Sequence, residues 1–158
     1  GHSQQVGKSV TVNGSVIGSI VKVNWSSFGY YDYAIIQLNS NAAAKVTNKV
    51  KTQSGTQTIT SINKSSVEGM KVNRYGKTSG FKTGTVLATN ISTTLDGVVC
   101  YGLVEVSADS TPQPGDSGGP VYYGSNFYGT VTGYNTSGVW FYSPSGAVPG
   151  FSLWKSII

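Results

Sequence analysis

The chain has 158 residues, of which only 11% are charged, against about 25% in an average soluble protein. Its aromatic share of 11% and its 21 glycines exclude a coiled coil and argue against long disorder. The net charge of +5 comes from cations spread along the chain, which does not favour nucleic-acid binding, and no apolar run is long enough for a membrane-spanning helix.

Short runs with a β-strand pattern recur along the chain, some alternating between apolar and polar residues and one, 33–38 (YAIIQL), compactly apolar, and they are separated by Gly, Asn, Ser or Pro. They predict β-strands at 9–13, 16–23, 33–38, 57–62, 70–74, 84–91, 98–106, 120–123, 127–134 and 139–142. Many short strands at this spacing predict an all-β sandwich or barrel. Segment 45–51 is cationic and polar, and we expect it to be exposed. Only the tail, 150–158, predicts a short helix, because its large apolar residues would share one face.

A single cysteine, Cys100, excludes any intrachain disulfide. It lies in the apolar run 98–101, so we expect a buried structural thiol rather than a nucleophile. The chain opens with no signal-peptide pattern, which a mature secreted protein would also lack.

Residues 114–120 (PGDSGGP) form the most informative motif in the sequence. A serine nucleophile needs a base within hydrogen-bond reach and N–H donors aimed at the oxyanion that forms. Glycines beside Ser117 allow a tight turn that can direct two N–H groups to one point. In an all-β chain this motif resembles the nucleophile loop of chymotrypsin-like serine proteases. The alternative is a glycine-rich turn that resembles this loop by accident.

The resemblance implies that a histidine and an aspartate precede the serine, in that order. His2 is the only histidine, and Gly1-His2 matches the Gly-His part of the family's histidine turn, with Ser3 where cysteine is usual. Asp32 directly precedes the apolar run 33–36 and fits the family's Asp-x-Ala pattern. If Gly1-His2 were a cloning remnant, the chain would carry no base.

The roles of these residues follow from the resemblance. Ser117 would attack the scissile carbonyl, His2 would transfer the proton, and Asp32 would hold the imidazole. The N–H groups of Gly115 and Ser117 would form the oxyanion hole.

Three further stretches narrow the resemblance to bacterial proteases of the streptogrisin and α-lytic type. They are 72–84 (VNRYGKTSGFKTG), 100–103 (CYGL) and 129–133 (GTVTG). In that subfamily an internal arginine holds the aspartate of the serine loop, and Arg74, the only arginine, stands at the matching position. We therefore expect Arg74 and Asp116 to form a buried ion pair beneath the loop. The alternative is a solvated Arg74.

The resemblance places the substrate-binding residues in three stretches, 110–112, 132–135 and 139–142. The candidates are Thr111, Thr132, Gly133, Tyr134 and Trp140. None of these stretches contains a carboxylate and the chain has no second histidine, so a small or medium apolar P1 residue is expected. Tyr134 and Trp140 either shorten the pocket or pack in the core. Thr132 either brings its hydroxyl to Asp32 or is an ordinary strand residue.

The implied fold is a chymotrypsin-like double β-barrel. Residues 1–65 would be the remainder of an N-terminal barrel that carries His2 and Asp32, and residues 66–158 a C-terminal barrel that carries Ser117. Family members have further strands before the histidine, so the resemblance implies that the first barrel lacks its N-terminal strands and that an upstream segment or pro-region is missing.

The function implied is a secreted bacterial serine endopeptidase that acts on polypeptides without metal or cofactor. An inactive or truncated protease-fold domain that serves as a binding module is the alternative. An adhesin or carbohydrate-binding β-sandwich would explain the many aromatic residues but not the serine loop.

Overall fold

The computed structural model describes residues 4–25, 31–108 and 110–154. In these ranges the chain forms mostly antiparallel β-structure, with one short α-helix and one 3-10 turn. The elements are β1 (Ser9–Val12), β2 (Ser15–Asn24), β3 (Tyr33–Leu38), α1 (Ser40–Ala43), β4 (Lys49–Lys51), β5 (Thr56–Thr58), β6 (Ser61–Ile62), β7 (Lys71–Gly76), β8 (Gly80–Leu95), β9 (Val98–Ala108), β10 (Pro120–Tyr123), β11 (Asn126–Tyr134), β12 (Val139–Pro144) and the 3-10 turn Ser145–Ala147.

Strands β1, β2 and β3 form a three-stranded antiparallel sheet. The turn between β1 and β2 is Asn13-Gly14, and both residues have positive φ angles of 49° and 79°. These are the residues that a two-residue hairpin turn favours, because it needs left-handed backbone at both positions. This sheet places Asp32 immediately before β3.

The larger sheet has the strand order β10-β7-β8-β9-β12-β11-β6, and β10 also pairs with β11. That additional pairing closes strands β7 to β12 into a six-stranded barrel, which leaves these strands without a free edge. Strand β6 joins the barrel by parallel pairing with β11, so the chain reaches this sheet at Ser61. The division at residues 65 and 66 stays a prediction.

The buried apolar side chains of the larger sheet form two clusters. The first contains Val72, Val86, Val104, Val106, Val121, Tyr128, Val131, Trp140 and Tyr142. The second contains Leu95, Cys100, Leu103 and Phe141, and Trp25, the residue after β2, packs against it. Cys100 is buried, as expected, and burial raises the pKa of its thiol, which disfavours the reactive thiolate.

The long β8–β9 hairpin is the main difference from the expected strand lengths. Its two strands pair with register shifts between Val86 and Ala88, between Ala88 and Ile91, and between Ile91 and Thr93. The sequence predicted only residues 84–91 of β8, and the structure extends this strand in both directions, to Gly80 through pairing with β7 and to Leu95 through pairing with β9. Near the other end of the chain, residues 151–154 carry no regular structure, and residues 155–158 lie outside the described part. None of the helices in the described ranges could cross a membrane.

Candidate active site

The serine loop is docked on β11 by two backbone hydrogen bonds. The N–H of Gly118 donates to the carbonyl of Val131 at 2.8 Å, and the N–H of Val131 donates to the carbonyl of Gly119 at 2.9 Å. The side chain of Ser117 is exposed, and its Oγ donates to the carbonyl oxygen of Thr132 at 3.2 Å. The closed barrel therefore presents this hydroxyl at its surface.

The loop needs its glycines for two different reasons. Gly115 and Gly118 have φ angles of +97° and +83°, which residues with a side chain rarely adopt. At Gly119 the constraint is space, because a Cβ atom would lie 2.5 Å from the carbonyl oxygen of Tyr75. Substitution at any of these positions would displace the backbone around Ser117.

Within the described residues, two backbone N–H groups of the serine loop make no hydrogen bond. The N–H groups of Asp116, Gly118 and Gly119 donate to backbone carbonyls. Those of Gly115 and Ser117 have no acceptor within the described part of the chain. Unpaired donors beside an exposed hydroxyl are what stabilisation of an oxyanion requires.

Asp116 lies fully buried beneath the loop and accepts hydrogen bonds from several groups. The N–H groups of Thr78, Ser79 and Gln113 donate to its carboxylate at 2.8, 2.9 and 2.8 Å, and the hydroxyl of Ser79 donates as well. Burial by itself raises the pKa of Asp116, but the hydrogen bonds from Gln113, Ser79 and Thr78 outweigh it and lower the pKa to about 2. The carboxylate is therefore ionised at neutral pH.

Arg74 is also fully buried and lies beside this carboxylate. Its Nη1 is 3.3 Å from Oδ2 of Asp116, and its Nη2 donates to the carbonyl of Ser110 at 3.2 Å. The guanidinium stacks over the ring of Trp140, 5.5 Å from the ring centroid. The structure thus brings Arg74 and Asp116 together in a buried ion pair with a single contact between the two side chains. Burial lowers the pKa of Arg74, but a guanidinium stays charged in proteins.

Asp32 is 3% exposed and lies where the three-stranded sheet meets the barrel. Its backbone N–H donates to Oγ of Ser143 at 2.8 Å, and that oxygen lies 3.0 Å from Oγ1 of Thr132. Sequence reasoning missed Ser143, whose only signal is a polar residue in the apolar strand VWFYSP. The third residue of the predicted triad, His2, lies outside the described residues.

A cavity of about 1290 Å³ runs between the two sheets and along the serine loop. Among the predicted site residues, Asp32, Gly115, Ser117, Thr132, Gly133 and Tyr134 line it. Tyr134 is 44% exposed, which suits a residue at the mouth of a pocket. The charged side chains that line this cavity, within the described residues, are Asp32 and Asp96.

Two of the predicted substrate-binding residues do not line this cavity. Trp140 has no exposed surface and packs in the barrel core against Tyr142, so its placement at the substrate is corrected in favour of the core alternative. The physical reason is that β12 turns this side chain into the closed barrel. Thr111 is half-buried and lies just before Pro112, which does line the cavity.

In residues 4–25, 31–108 and 110–154, no three His, Cys, Asp or Glu side chains form a group that could hold a metal ion.

A closed β-barrel that presents a serine loop beside a second sheet with a buried aspartate is the arrangement of a chymotrypsin-like serine protease. The Trypsin family model matches residues 1–152, and the chain belongs to this family. Among curated relatives, Streptogrisin-A from Streptomyces griseus is 33% identical over 138 residues, which are 78% of this chain and 44% of that protein. The chain therefore spans less than half the length of this relative.

Solved structures of bacterial proteases share the fold. The Nocardiopsis protease NAPase is 27% identical with a TM-score of 0.77, over 91% of this chain and 75% of the other. Protease A from Thermobifida fusca is 28% identical with a TM-score of 0.75, over 90% and 74% of the two chains. These comparisons confirm the chymotrypsin-like all-β fold and the streptogrisin and α-lytic type that the motifs indicated.

Proposed function

We propose that this chain is the catalytic domain of a serine endopeptidase that hydrolyses peptide bonds through an acyl-enzyme. The observation that carries the proposal is the exposed hydroxyl of Ser117 beside the N–H groups of Gly115 and Ser117, for which the described residues provide no acceptor. The buried carboxylate of Asp116, held by three backbone N–H groups, keeps this loop in one conformation. Family membership favours this activity over a domain that only binds peptides.

The proposed reaction has two steps. Ser117 Oγ attacks the scissile carbonyl while His2 takes its proton and then gives it to the leaving amine, and Asp32 holds and stabilises the imidazolium. The N–H groups of Gly115 and Ser117 stabilise the oxyanion, and one such donor contributes about 2.7–4 kcal/mol to lowering the barrier. Water then attacks the acyl-enzyme and releases the acid. The roles of His2 and of Asp32 as its partner are proposed from the resemblance.

The proposed substrates are polypeptides with a small or medium apolar residue at P1. Residues 110–112, 132–135 and 139–142 contain no charged side chain that could compensate a buried Arg, Lys or Glu of the substrate. The bulk of Tyr134 at the cavity narrows the available space. A peptide library should therefore rank Ala, Val or Leu above the charged residues at P1, and a library headed by Arg or Glu would contradict this preference.

The test of the activity is labelling with a fluorophosphonate probe, followed by peptide mapping of the adduct. We expect one adduct, on Ser117, together with hydrolysis of an apolar peptide ester. A chain that binds apolar peptides but is never labelled would instead support the binding-module alternative.

The upstream segment or pro-region stays a prediction, and comparing hydrolysis with and without such a segment would test it. We also propose that the protein is secreted by a bacterium, which its presence in culture medium would test.

A further inference from the structure

A single buried hydroxyl connects the two sheets next to the proposed site. Ser143 lies near the end of β12, in the barrel, and is 3% exposed. Its Oγ accepts the backbone N–H of Asp32 at 2.8 Å, although the two residues are 111 positions apart in the chain. Because Asp32 directly precedes β3, this bond fixes where the three-stranded sheet begins relative to the barrel.

The hydroxyl of Ser143 is also linked to Ser117, because Thr132 contacts both residues. Oγ1 of Thr132 lies 3.0 Å from Oγ of Ser143, and the carbonyl oxygen of Thr132 accepts the hydroxyl of Ser117 at 3.2 Å. Thr132 lies at a register shift between β11 and β12, between the pairs of Val131 and Gly133. A β-bulge redirects side chains locally and is common beside active sites. Three hydrogen bonds, two of them joined through the backbone of Thr132, therefore connect buried Asp32 to the exposed hydroxyl of Ser117.

The strands that lead to Asp32 bury few of their side chains. Ile20 is the only residue of β1, β2 and β3 that is buried, whereas the residues around Ser143 belong to the tightly packed barrel. A hydroxyl has one hydrogen to donate and two lone pairs to accept, so Ser143 can serve Asp32 and Thr132 together. An apolar residue at position 143 would leave the buried N–H of Asp32 without this acceptor.

We propose that Ser143 is a positioning residue, whose hydroxyl sets the place of Asp32 relative to Ser117 for the peptidase reaction. The inference rests on the proposed function, in which Asp32 orients the base. Ser143 does not touch the substrate in this role. It acts through Asp32, and its hydroxyl rather than its volume carries the effect.

The matched pair Ser143→Thr and Ser143→Val separates the hydroxyl from the volume, since these two side chains have nearly the same shape. We expect Ser143→Val to lower kcat about ten- to a hundredfold with little change in KM, because a shift of about 1 Å near the chemistry costs on the order of 10²-fold. Ser143→Thr should retain most of the activity. Equal kcat values for the two variants at matched folded fractions would overturn the proposal.

A double-mutant cycle with Asp32→Asn tests whether Ser143 acts through Asp32. In the Asp32→Asn background, Ser143→Val should lower kcat by less than about twofold, because the group that it positions has already lost its charge. A full additional loss in this background would show that Ser143 acts on something else and would contradict the inference.

Amide hydrogen exchange provides a readout that does not need activity. Ser143→Val should remove the protection of the Asp32 amide and leave the amide of Ile20 protected, whereas Ser143→Thr should keep both. An Asp32 amide that stays protected in Ser143→Val would overturn the positioning role even in an active enzyme. A wild-type chain without any hydrolysis or probe labelling would instead contradict the proposed function, and the exchange data would still decide whether Ser143 holds Asp32.

Discussion

The two sheets that meet at the proposed site differ in how well they are packed. The barrel that carries Ser117 buries two apolar clusters and has no free strand edge among β7 to β12. The three-stranded sheet that leads to Asp32 buries only Ile20, and its side chains Val12, Val16, Val21 and Ile36 are 39–55% exposed. Most of the packing energy of the described chain therefore lies in the barrel.

Because of this difference, Ser117 and Asp32 are held in place by different kinds of contact. The loop of Ser117 is held from below by Asp116 and from the side by β11, all within one closed sheet. Asp32 depends on contacts that cross to the barrel, among them the 2.8 Å hydrogen bond from its N–H to Oγ of Ser143. We expect disturbances of the smaller sheet to affect catalysis more than stability, and disturbances of the barrel to affect both.

The largest effect should come from removing the nucleophile. Ser117→Ala should lower kcat by about 10⁶-fold, as loss of the serine does in this type of mechanism, and should leave the melting temperature nearly unchanged because the side chain is exposed. Hydrolysis of an apolar peptide ester and thermal unfolding measure the two effects. Ser54→Ala, an exposed serine on the β4–β5 turn, is the matched control. Hydrolysis by the Ser117 variant at the wild-type rate would show that another residue is the nucleophile.

Breaking the support beneath the serine loop should be the largest effect on stability. Asp116→Ala should cost about 3–5 kcal/mol, because it leaves the buried charge of Arg74 and three backbone donors without their acceptor. Arg74→Met should cost less, since Asp116 would keep its donors from Thr78, Ser79 and Gln113. Urea unfolding of both variants gives the comparison. A larger loss for Arg74→Met would mean that the ion pair, rather than the backbone donors, stabilises Asp116.

The same carboxylate should make the stability of the barrel sensitive to acid. The pKa of folded Asp116, about 2, is below the ordinary value of 3.8, so folding favours its ionised form. Its contribution is present above about pH 4 and is lost as the pH falls toward 2. Melting temperatures across this range should fall less steeply for Asp116→Asn than for wild type. If the melting temperatures of the two proteins fall equally with pH, groups other than Asp116 cause the loss of stability in acid.

Core truncation in each sheet tests the packing difference directly. Leu103→Ala removes a fully buried barrel side chain and should cost about 2–5 kcal/mol. Ile36→Ala, in β3, removes a side chain that is 39% exposed and should cost clearly less. Denaturant unfolding measures both. Equal costs would show that the smaller sheet is as well packed as the barrel.

The smallest effect concerns specificity. Tyr134→Gly should raise kcat/KM for substrates with Phe or Leu at P1 by about 10- to 200-fold relative to Ala, the range in which pocket volume discriminates. This prediction rests on two observations: Tyr134 lines the cavity, and its side chain is partly exposed. If the ratio of kcat/KM for Phe or Leu to that for Ala does not change, Tyr134 lies outside the P1 pocket. An unaltered melting temperature is the control that the fold is intact.

Local patterns in the sequence determined most of the strands and the serine loop. Short alternating or continuously apolar runs marked β1 to β3 and β9 to β12 nearly to their ends, since such runs are local features of the sequence. The glycines of residues 114–120 indicated the tight turn because their backbone angles are a local property. In β8 the same reasoning marked only residues 84–91, because the two ends of this strand are defined by their pairing with β7 and β9.

Only the tertiary structure decided which side chains meet. It placed Trp140 in the barrel core, surrounded Asp116 with three backbone donors, and brought Ser143 to Asp32 across 111 positions. It also joined β6 to the barrel through a parallel pair with β11. These contacts depend on how the closed barrel and the smaller sheet pack together. No local pattern around Ser143 or Trp140 reports the residue that lies opposite it in space.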